Sequence, residues 1–343
     1  MAAVDAVGPV EALERIAFLL ERDRAPTYRV KAFRTAAAVI AAMPEEEVHR
    51  RAADGSLTEV KSIGPKTAAV VGEALAGRVP SYLAHLEQEA GGPLAEGGEE
   101  LRAALRGDCH LHSDWSDGGS GIEEMARAAR DLGHEWAVLT DHSPRLTIAR
   151  GLSPERLRSQ LDVVAEVNER LGDGFRLLTG IECDILADGS LDQEEELLER
   201  LDVVVASVHS KLRMDAAGMT RRLVAAVASP LVDVLGHCTG RLLAGRGRPE
   251  SEFDADMVFA ACARFGTAVE INSRPERLDP PRRLLRRALD AGVLFSIDSD
   301  AHAPGQLDWQ IYGCARAEEC GVPAGRVITT WPVERLLEWT RSP

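Results

Sequence analysis

The sequence predicts an α/β protein in which a parallel-stranded barrel follows a small all-helical domain, and three observations predict it. Its 343 residues suit two domains at roughly 100–200 residues each. From residue 107 onward, short apolar runs alternate with amphipathic stretches, the pattern of a parallel sheet wrapped by helices. Residues 1–90 carry helical periodicity and no strand pattern.

In the first region, Leu13, Ile16, Ala17, Leu19 and Leu20 form one apolar face. Phe33 to Met43 form another, and Pro44 opens a fresh segment. Residues 91–106 are Gly-rich and acidic and read as a linker passing into a helix. The third region is 107–343. Its expected strands are Trp136–Thr140, Phe175–Ile181, Val203–Val208, Val232–Gly236, Ala268–Ile271 and Leu294–Ile297, after a short start near Gly107. Its expected helices are Ile122–Leu132, Pro154–Leu171, Met219–Ala228, Asp254–Phe265 and Pro281–Ala291. The number of repeats suits a closed barrel.

Composition narrows the class. Hydrophobic residues make up 45% and charged residues 28%, an ordinary globular balance. No apolar run is long enough for a membrane span, and the first ten residues lack a basic n-region, so a cytoplasmic protein is expected. Six scattered cysteines without a CxxC pair read as reduced thiols. The net charge of −15 argues against general nucleic-acid binding. That charge divides unevenly: residues 1–90 hold 11 basic and 13 acidic residues, and the remainder holds 29 and 42.

The chemistry is concentrated at strand ends. His110 and His112 share one strand face through the two-residue period, and Asp117 follows in a Ser-Asp-Gly turn. His142 follows one strand, Glu182 closes another, and His209 and His237 close two more. Asp300 and His302 follow the last strand as Ser-Asp-Ala-His. In a parallel barrel all C-terminal strand ends converge on one mouth. Nine ligands there exceed the need of one ion and suit two or three, with a bridging carboxylate. Cys109, Cys183 and Cys238 adjoin these positions and read as small core residues. His134, His49 and His85 fall outside the pattern. Arg145 and Arg274 lie just past strand ends, where each is a phosphate clamp or an ordinary surface ion pair.

This ordered set of HxH, SDG, TDH, GIE, SVH, GH and SDAH resembles the PHP (polymerase and histidinol phosphatase) family of metal-dependent phosphoesterases, over about residues 107–340. The resemblance implies a distorted (β/α)7 barrel with a trinuclear centre. It further implies that His110, His112, Glu182 and Asp300 hold one ion and that Asp117, His142 and His302 hold a second. Glu182 would bridge to a third with His209 and His237, and catalysis would run through Glu182, Asp300 and His302. Some relatives have His where Asp117 stands; the extra oxygen brings Mn²⁺ and Fe²⁺ into competition with Zn²⁺.

In the first region, Val60-Lys61-Ser62-Ile63-Gly64-Pro65-Lys66-Thr67-Ala68 resembles a helix-hairpin-helix motif, with Ser62 in place of the usual first glycine. The resemblance implies that backbone N–H groups near Ser62 and Gly64 meet a DNA phosphate, with Lys66 and Arg34 beside them. Residues 22–34 carry a local charge of +4, so weak, salt-sensitive DNA binding is expected despite the acidic whole. Tyr28 to Arg34 and Gly77 to Tyr82 resemble the N-terminal domain of family X DNA polymerases. Several bacterial members join that domain to a PHP barrel. Residues 91–106 are too short for palm and fingers, so polymerase activity is not expected. Val70 lies near the Schiff-base lysine position of lyase-active relatives, so lyase activity is not expected either.

The expected function is metal-dependent phosphoester hydrolysis at DNA ends, a repair-type 3′–5′ exonuclease or 3′-end phosphatase. The alternatives are a small-molecule phosphatase, such as one acting on histidinol phosphate, and a non-catalytic DNA-binding scaffold. No membrane partner is expected, and the sequence leaves the oligomeric state open.

Overall fold

A computed structural model describes residues 7–90 and 92–341. The chain divides into two compact units, Met1–Pro93 and Leu94–Pro343.

The first unit is all helical: α1 (Pro9–Arg22), α2 (Thr27–Ala41), α3 (Glu45–Asp54), α4 (Pro65–Leu75) and α5 (Ser81–Glu89). Each helix starts at a proline, either as its first residue (Pro9, Pro65) or just before it (Pro26, Pro44, Pro80). Proline's fixed φ favours a helix start, where its missing N–H costs nothing. Gly55, at φ 78°, stops α3. Leu13, Ile16 and Leu20 of α1 pack with Phe33, Ala36 and Ile40 of α2 and with Val70, Val71 and Ala74 of α4. Fully burying a Leu, Ile or Phe stabilises by about 1.5–3 kcal/mol, so this small core holds the hairpin before α4 in place.

The second unit opens with α6 (Glu99–Ala104), which packs with the late helix Gln310–Glu319. Part of the stretch read as linker therefore belongs to the barrel unit, and the Gly98 N–H is anchored on Glu318 Oε2 at 2.5 Å. Seven parallel strands follow in sequential order: β1 (Gly107–Leu111), β2 (Trp136–Leu139), β3 (Arg176–Asp184), β4 (Val203–Ser207), β5 (Val234–Leu235), β6 (Ala268–Asn272) and β7 (Phe295–Asp298). A parallel bridge from Leu111 to Ala301 brings the first strand against the segment after the last, leaving a nearly closed barrel. The helices are α7 (Ile122–Asp131), α8 (Pro154–Leu171), α9 (Glu195–Leu198), α10 (Ala216–Val227), α11 (Ala255–Phe265), α12 (Arg282–Asp290), α13 (Gln310–Glu319) and α14 (Val333–Thr340). Strand residues Ala206, Leu235, Val269, Ile271 and Ile297 pack against Leu223, Phe259, Leu285 and Cys314 of the helices.

Three elements differ from the sequence reading by two residues or more at an end. α10 begins at Ala216 rather than Met219, because Asp215 caps it by accepting the Gly218 N–H. β5 shortens to two residues. β3 runs on to Asp184 because its pairing with β4 continues through Asp184 and Ser207. Glu182 therefore lies within a strand, opposite Val205, rather than closing one. No described helix is long and apolar enough to cross a membrane.

Candidate metal centre

The C-terminal ends of six strands deliver the nine proposed ligands to one place. β1 contributes His110 and, one residue past its end, His112; both are fully buried. His142 follows β2, Glu182 lies near the end of β3, His209 follows β4 and His237 follows β5. Asp300 and His302 follow β7, and Asp117 comes from the turn after β1. Asp300 and His237 adopt left-handed φ values of 53° and 20°, a strain typical of residues held for function.

Glu182 is the hub. Its Oε1 lies 3.1 Å from His209 Nε2 and 2.7 Å from His237 Nε2. Its Oε2 lies 2.8 Å from His142 Nδ1 and 3.4 Å from His110 Nε2. Asp300 Oδ1 stands 3.5 Å from His112 Nε2, and Asp117 Oδ1 stands 3.4 Å from both His142 Nε2 and His302 Nε2. Ligands about 2.1 Å from one ion, at the usual angles, are separated by about 3.0–3.4 Å. Four of these seven gaps, at 3.1 and 3.4 Å, match that spacing, whereas the 2.7 and 2.8 Å gaps from Glu182 to His237 Nε2 and His142 Nδ1 are hydrogen-bond distances.

Among the described residues, four groups have ligand atoms that all lie within 4.8 Å of one another: His112, Asp117, His142 and His302; His110, Glu182 and His237; His110, His112 and Asp300; His142, Glu182 and His209. His110 Nε2, His112 Nε2, His209 Nε2 and His142 Nδ1 are buried without a hydrogen-bond partner. Buried imidazole nitrogens without partners are costly unless something is to bind them, so the residues fit divalent ions.

The electrostatics agree. Burial would raise Glu182, but His209, His110 and His142 hold its carboxyl well below the usual range. Burial is likewise outweighed at Asp300 by Arg274, His110 and His112. Burial and the neighbouring His302 and His142 push His112 well down, leaving a neutral ring with a free lone pair. At His110 burial is outweighed by Glu270, Glu182 and Asp300, which drive it well up; an ion binding there displaces a proton.

The supporting residues were not read from the sequence. Glu270 of β6 lies 2.6 Å from His110 Nδ1, turning Nε2 toward the centre. A carboxylate inside the apolar run Ala268–Ile271 was the available signal. Asp141 accepts hydrogen bonds from Ser113 N, Ser113 Oγ, Ser116 Oγ and Gln160 Nε2, which anchors the turn that carries Asp117. Asn272 Nδ2 and Arg277 Nε lie 3.1 and 3.0 Å from Asp300 Oδ2, leaving Oδ1 toward the histidines.

The remaining expected residues separate. Arg274 Nη1 lies 2.9 Å from His302 Nδ1, beside the centre. Arg145 is mostly exposed, and its Nε pairs with Asp192 at 3.3 Å. Cys109, Cys183 and Cys238 are buried free thiols in apolar clusters. His134 is buried apart from the ligands and pushed down to about 3 by burial and Arg102.

In the helical unit, Ser62 takes the left-handed conformation at φ 72°. Gly64 donates its N–H to Thr67 Oγ1, so that amide is engaged within the hairpin. Lys66 Nζ sits 3.9 Å from the Tyr82 ring centroid, and Arg29 Nη2 donates to Tyr82 Oη at 2.7 Å. Arg34 is engaged within the unit. Its guanidinium grips Glu21 with two bonds of 2.9 and 2.7 Å, because α2 turns this side chain toward α1.

A family model described as "Helix-hairpin-helix domain" matches residues 8–79, and one described as "PHP domain" matches 108–274. "DNA polymerase/3'-5' exonuclease PolX" of Bacillus subtilis is 40% identical over 204 residues, covering 60% of this chain and 35% of that protein. The chain thus spans about a third of that relative's length. A "Probable phosphatase" of Caldanaerobacter subterraneus is 30% identical over 263 residues, covering 72% of this chain and 94% of that protein. A solved structure of histidinol phosphate phosphatase from Lactococcus lactis aligns at a TM-score of 0.45 with 20% identity, covering 63% of this chain and 94% of that one. With its strand-end ligands and this coverage of full-length relatives, the chain belongs to the PHP family of metal-dependent phosphoesterases, with a helix-hairpin-helix domain ahead of the barrel.

Proposed function

We propose that the chain hydrolyses phosphoesters at DNA ends, as a 3′–5′ exonuclease or 3′-end phosphatase, through three divalent ions held at the barrel mouth. The observation that carries this reading is Glu182, whose two oxygens face four histidines from four strands. We assign His110, His112 and Asp300 to one ion, Asp117, His142 and His302 to a second, and His209 and His237 to a third, with Glu182 as the bridge. Zn²⁺, Mn²⁺ and Fe²⁺ all suit this mixed nitrogen and oxygen set. Ions bound there supply Lewis acidity toward the phosphoryl oxygens and an acidified water.

The protein's own groups do the rest. Glu270 fixes the His110 ring, and Asn272 with Arg277 fixes Asp300, so the ligand atoms stand pre-arranged. His302 and Asp117 form the more exposed edge, where the phosphoester enters. Arg274, beside His302, is placed to hold a non-bridging oxygen. The helix-hairpin-helix unit delivers the strand through the start of α4 and Lys66. The six buried, unpaired thiols suit a reducing cytoplasm.

The test is elemental analysis of the purified protein, followed by assays on 3′-phosphorylated and single-stranded DNA. Nucleotide or phosphate release that depends on added metal is the expected result; no release from any DNA end rejects the reading. A second reading, a small-molecule phosphatase, is favoured by the proteins named "Probable phosphatase" that this chain covers over 78% and 94% of their length. It predicts saturable turnover of small phosphomonoesters that is indifferent to Lys66→Ala.

A further inference from the structure

Of the nine proposed ligands, Asp117 lies farthest along the chain from a strand, six residues beyond the end of β1 at Leu111. It also stands at the exposed edge of the centre, so its place depends on how its turn is held. The inner side of that turn is pinned by the buried Asp141 carboxylate, which accepts from Ser113 and Ser116. Gly118 N donates to Ser113 O at 2.9 Å, and a Cβ at Gly118 would come within 2.6 Å of the same oxygen. Gly119 N donates to His302 O at 2.7 Å, which ties the turn to a second ligand of the same proposed ion.

The outer side is held by two arginines from the segment after β2. Arg150 Nη2 donates to Asp114 O at 3.1 Å and to Ser116 O. Arg156 Nη2 donates to Trp115 O, and its guanidinium carbon lies 6.0 Å from the Trp115 ring centroid. Three consecutive carbonyls ahead of Asp117 are thus taken by two guanidinium groups. Arg156 Nη1 also donates to Arg150 O at 2.7 Å, which joins the two arginines into one brace. Among the described residues neither arginine pairs with a carboxylate, so their donors serve the backbone rather than an ion pair. The brace is rooted at the third ligand. Leu152 N donates to His142 O at 2.7 Å, and a Cβ at Gly151 would stand 1.9 Å from Ser143 O, so the loop closes tightly on His142. Arg150 itself takes a left-handed φ of 56°, a conformation that persists where surrounding contacts enforce it. Asp117, His142 and His302 are therefore joined to one another by backbone and guanidinium contacts.

We propose that Arg150 and Arg156 are positioning residues for the second ion. They fix the turn that presents Asp117, so the loop after β2 sets the affinity of that ion and not of the other two. This rests on the assignment of Asp117, His142 and His302 to one ion given above. Arginine suits the task because its planar fork offers several donors in fixed directions, which a lysine ammonium on a flexible stem does not match. The other ligands draw on different supports, Glu270 behind His110 and Asn272 with Arg277 behind Asp300.

The test is removal of Zn²⁺ from the loaded protein by a metallochromic chelator, in wild type and in Asp117→Ala, Arg150→Ala, Arg150→Lys and Arg156→Ala. Arg150→Ala is expected to weaken one ion by about tenfold and to leave the other two unchanged, and Arg156→Ala to weaken the same ion. Arg150→Lys, which can still reach one carbonyl, is expected to restore part of that affinity. Arg150 is exposed, so the fully chelated Arg150→Ala protein is expected to melt at the wild-type temperature. An Arg150→Ala protein with all affinities unchanged overturns the proposal. So does one in which every ion is weakened alike and the chelated protein melts lower, since the arginine then serves general stability. An Asp117→Ala protein that holds its ions as wild type does overturns the ion assignment itself, a result distinct from an unchanged Arg150→Ala alone.

Discussion

The barrel mouth and the helical unit place their charges by opposite rules. At the mouth, three carboxylates and six imidazoles are mostly buried and interlocked, each close to an opposite or ligating partner. Buried charges survive only when paired or coordinated, so any one of them implies the rest. In the helical unit the basic residues are individually placed. Arg29 bonds the Tyr82 hydroxyl and Lys66 sits over the Tyr82 ring, whereas Arg34 is bound to Glu21 and Arg22 Nη1 donates to Ala90 O. A local charge count therefore says little about which of these cations meets DNA, while the ligand pattern says a great deal about the mouth.

That contrast is broken most directly at His209. Its Nε2 faces the Glu182 oxygen shared with His237. His209→Ala is expected to lower phosphoester hydrolysis by on the order of 10³-fold, with fewer ions per chain in elemental analysis. Retained activity with full metal content shows that the mouth does not act as one unit. Chelation is expected to lower the melting temperature of wild type, since ligands that bind only the folded state stabilise it.

A smaller effect is expected at Glu270, which touches no proposed ion. Glu270→Gln keeps the shape but weakens the bond that orients His110. A loss of about 10–100-fold in metal affinity follows from the usual cost of losing such support. Competition with a metallochromic chelator measures it; unchanged affinity removes Glu270 from the positioning role.

The convergence of the nine proposed ligands and the barrel were legible because each of these residues recurs where an apolar run ends, and strand period and barrel topology then fix the side on which it emerges. Glu270, Asn272 and Arg277 were not legible, because their roles come from pairings across strands and loops that no local spacing encodes. Glu182 was assigned to a strand end because the apolar run stops at Ile181, while the backbone ladder continues to Asp184. The Arg34–Glu21 pair was not legible for a different reason. Helical phase could have turned Arg34 toward solvent or toward α1, and only the packing of α2 on α1 decides which.

The helical unit sharpens the comparison through paired variants. Lys66→Ala is expected to weaken DNA binding about tenfold and to reduce the salt dependence by about one phosphate contact, read by anisotropy titrations at several salt concentrations. Arg34→Ala is expected to leave that salt slope unchanged. It should instead destabilise the packing of α2 on α1 by about 1.5–3 kcal/mol, the worth of charge-assisted hydrogen bonds, read by hydrogen exchange in those helices. A reversed outcome, with Arg34 setting the salt slope, restores the charge-count reading.

The smallest effect is expected at Ser62, where the hairpin departs from the usual glycine. Its φ of 72° is a conformation that costs a non-glycine residue about 1–2 kcal/mol, because Cβ crowds the carbonyl that follows. Glycine adopts it freely but loses more chain entropy on folding, which offsets part of the gain. Ser62→Gly is therefore expected to stabilise the hairpin by about 0.5–1 kcal/mol, seen as slower hydrogen exchange at Ile63 and at the start of α4. Removing Cβ also lets a phosphate approach the backbone more closely, so DNA affinity should rise slightly with an unchanged salt slope. If exchange slows while affinity stays fixed, Ser62 shapes the hairpin but does not face the strand. DNA recognition in this unit would then rest on Lys66 and the first turn of α4.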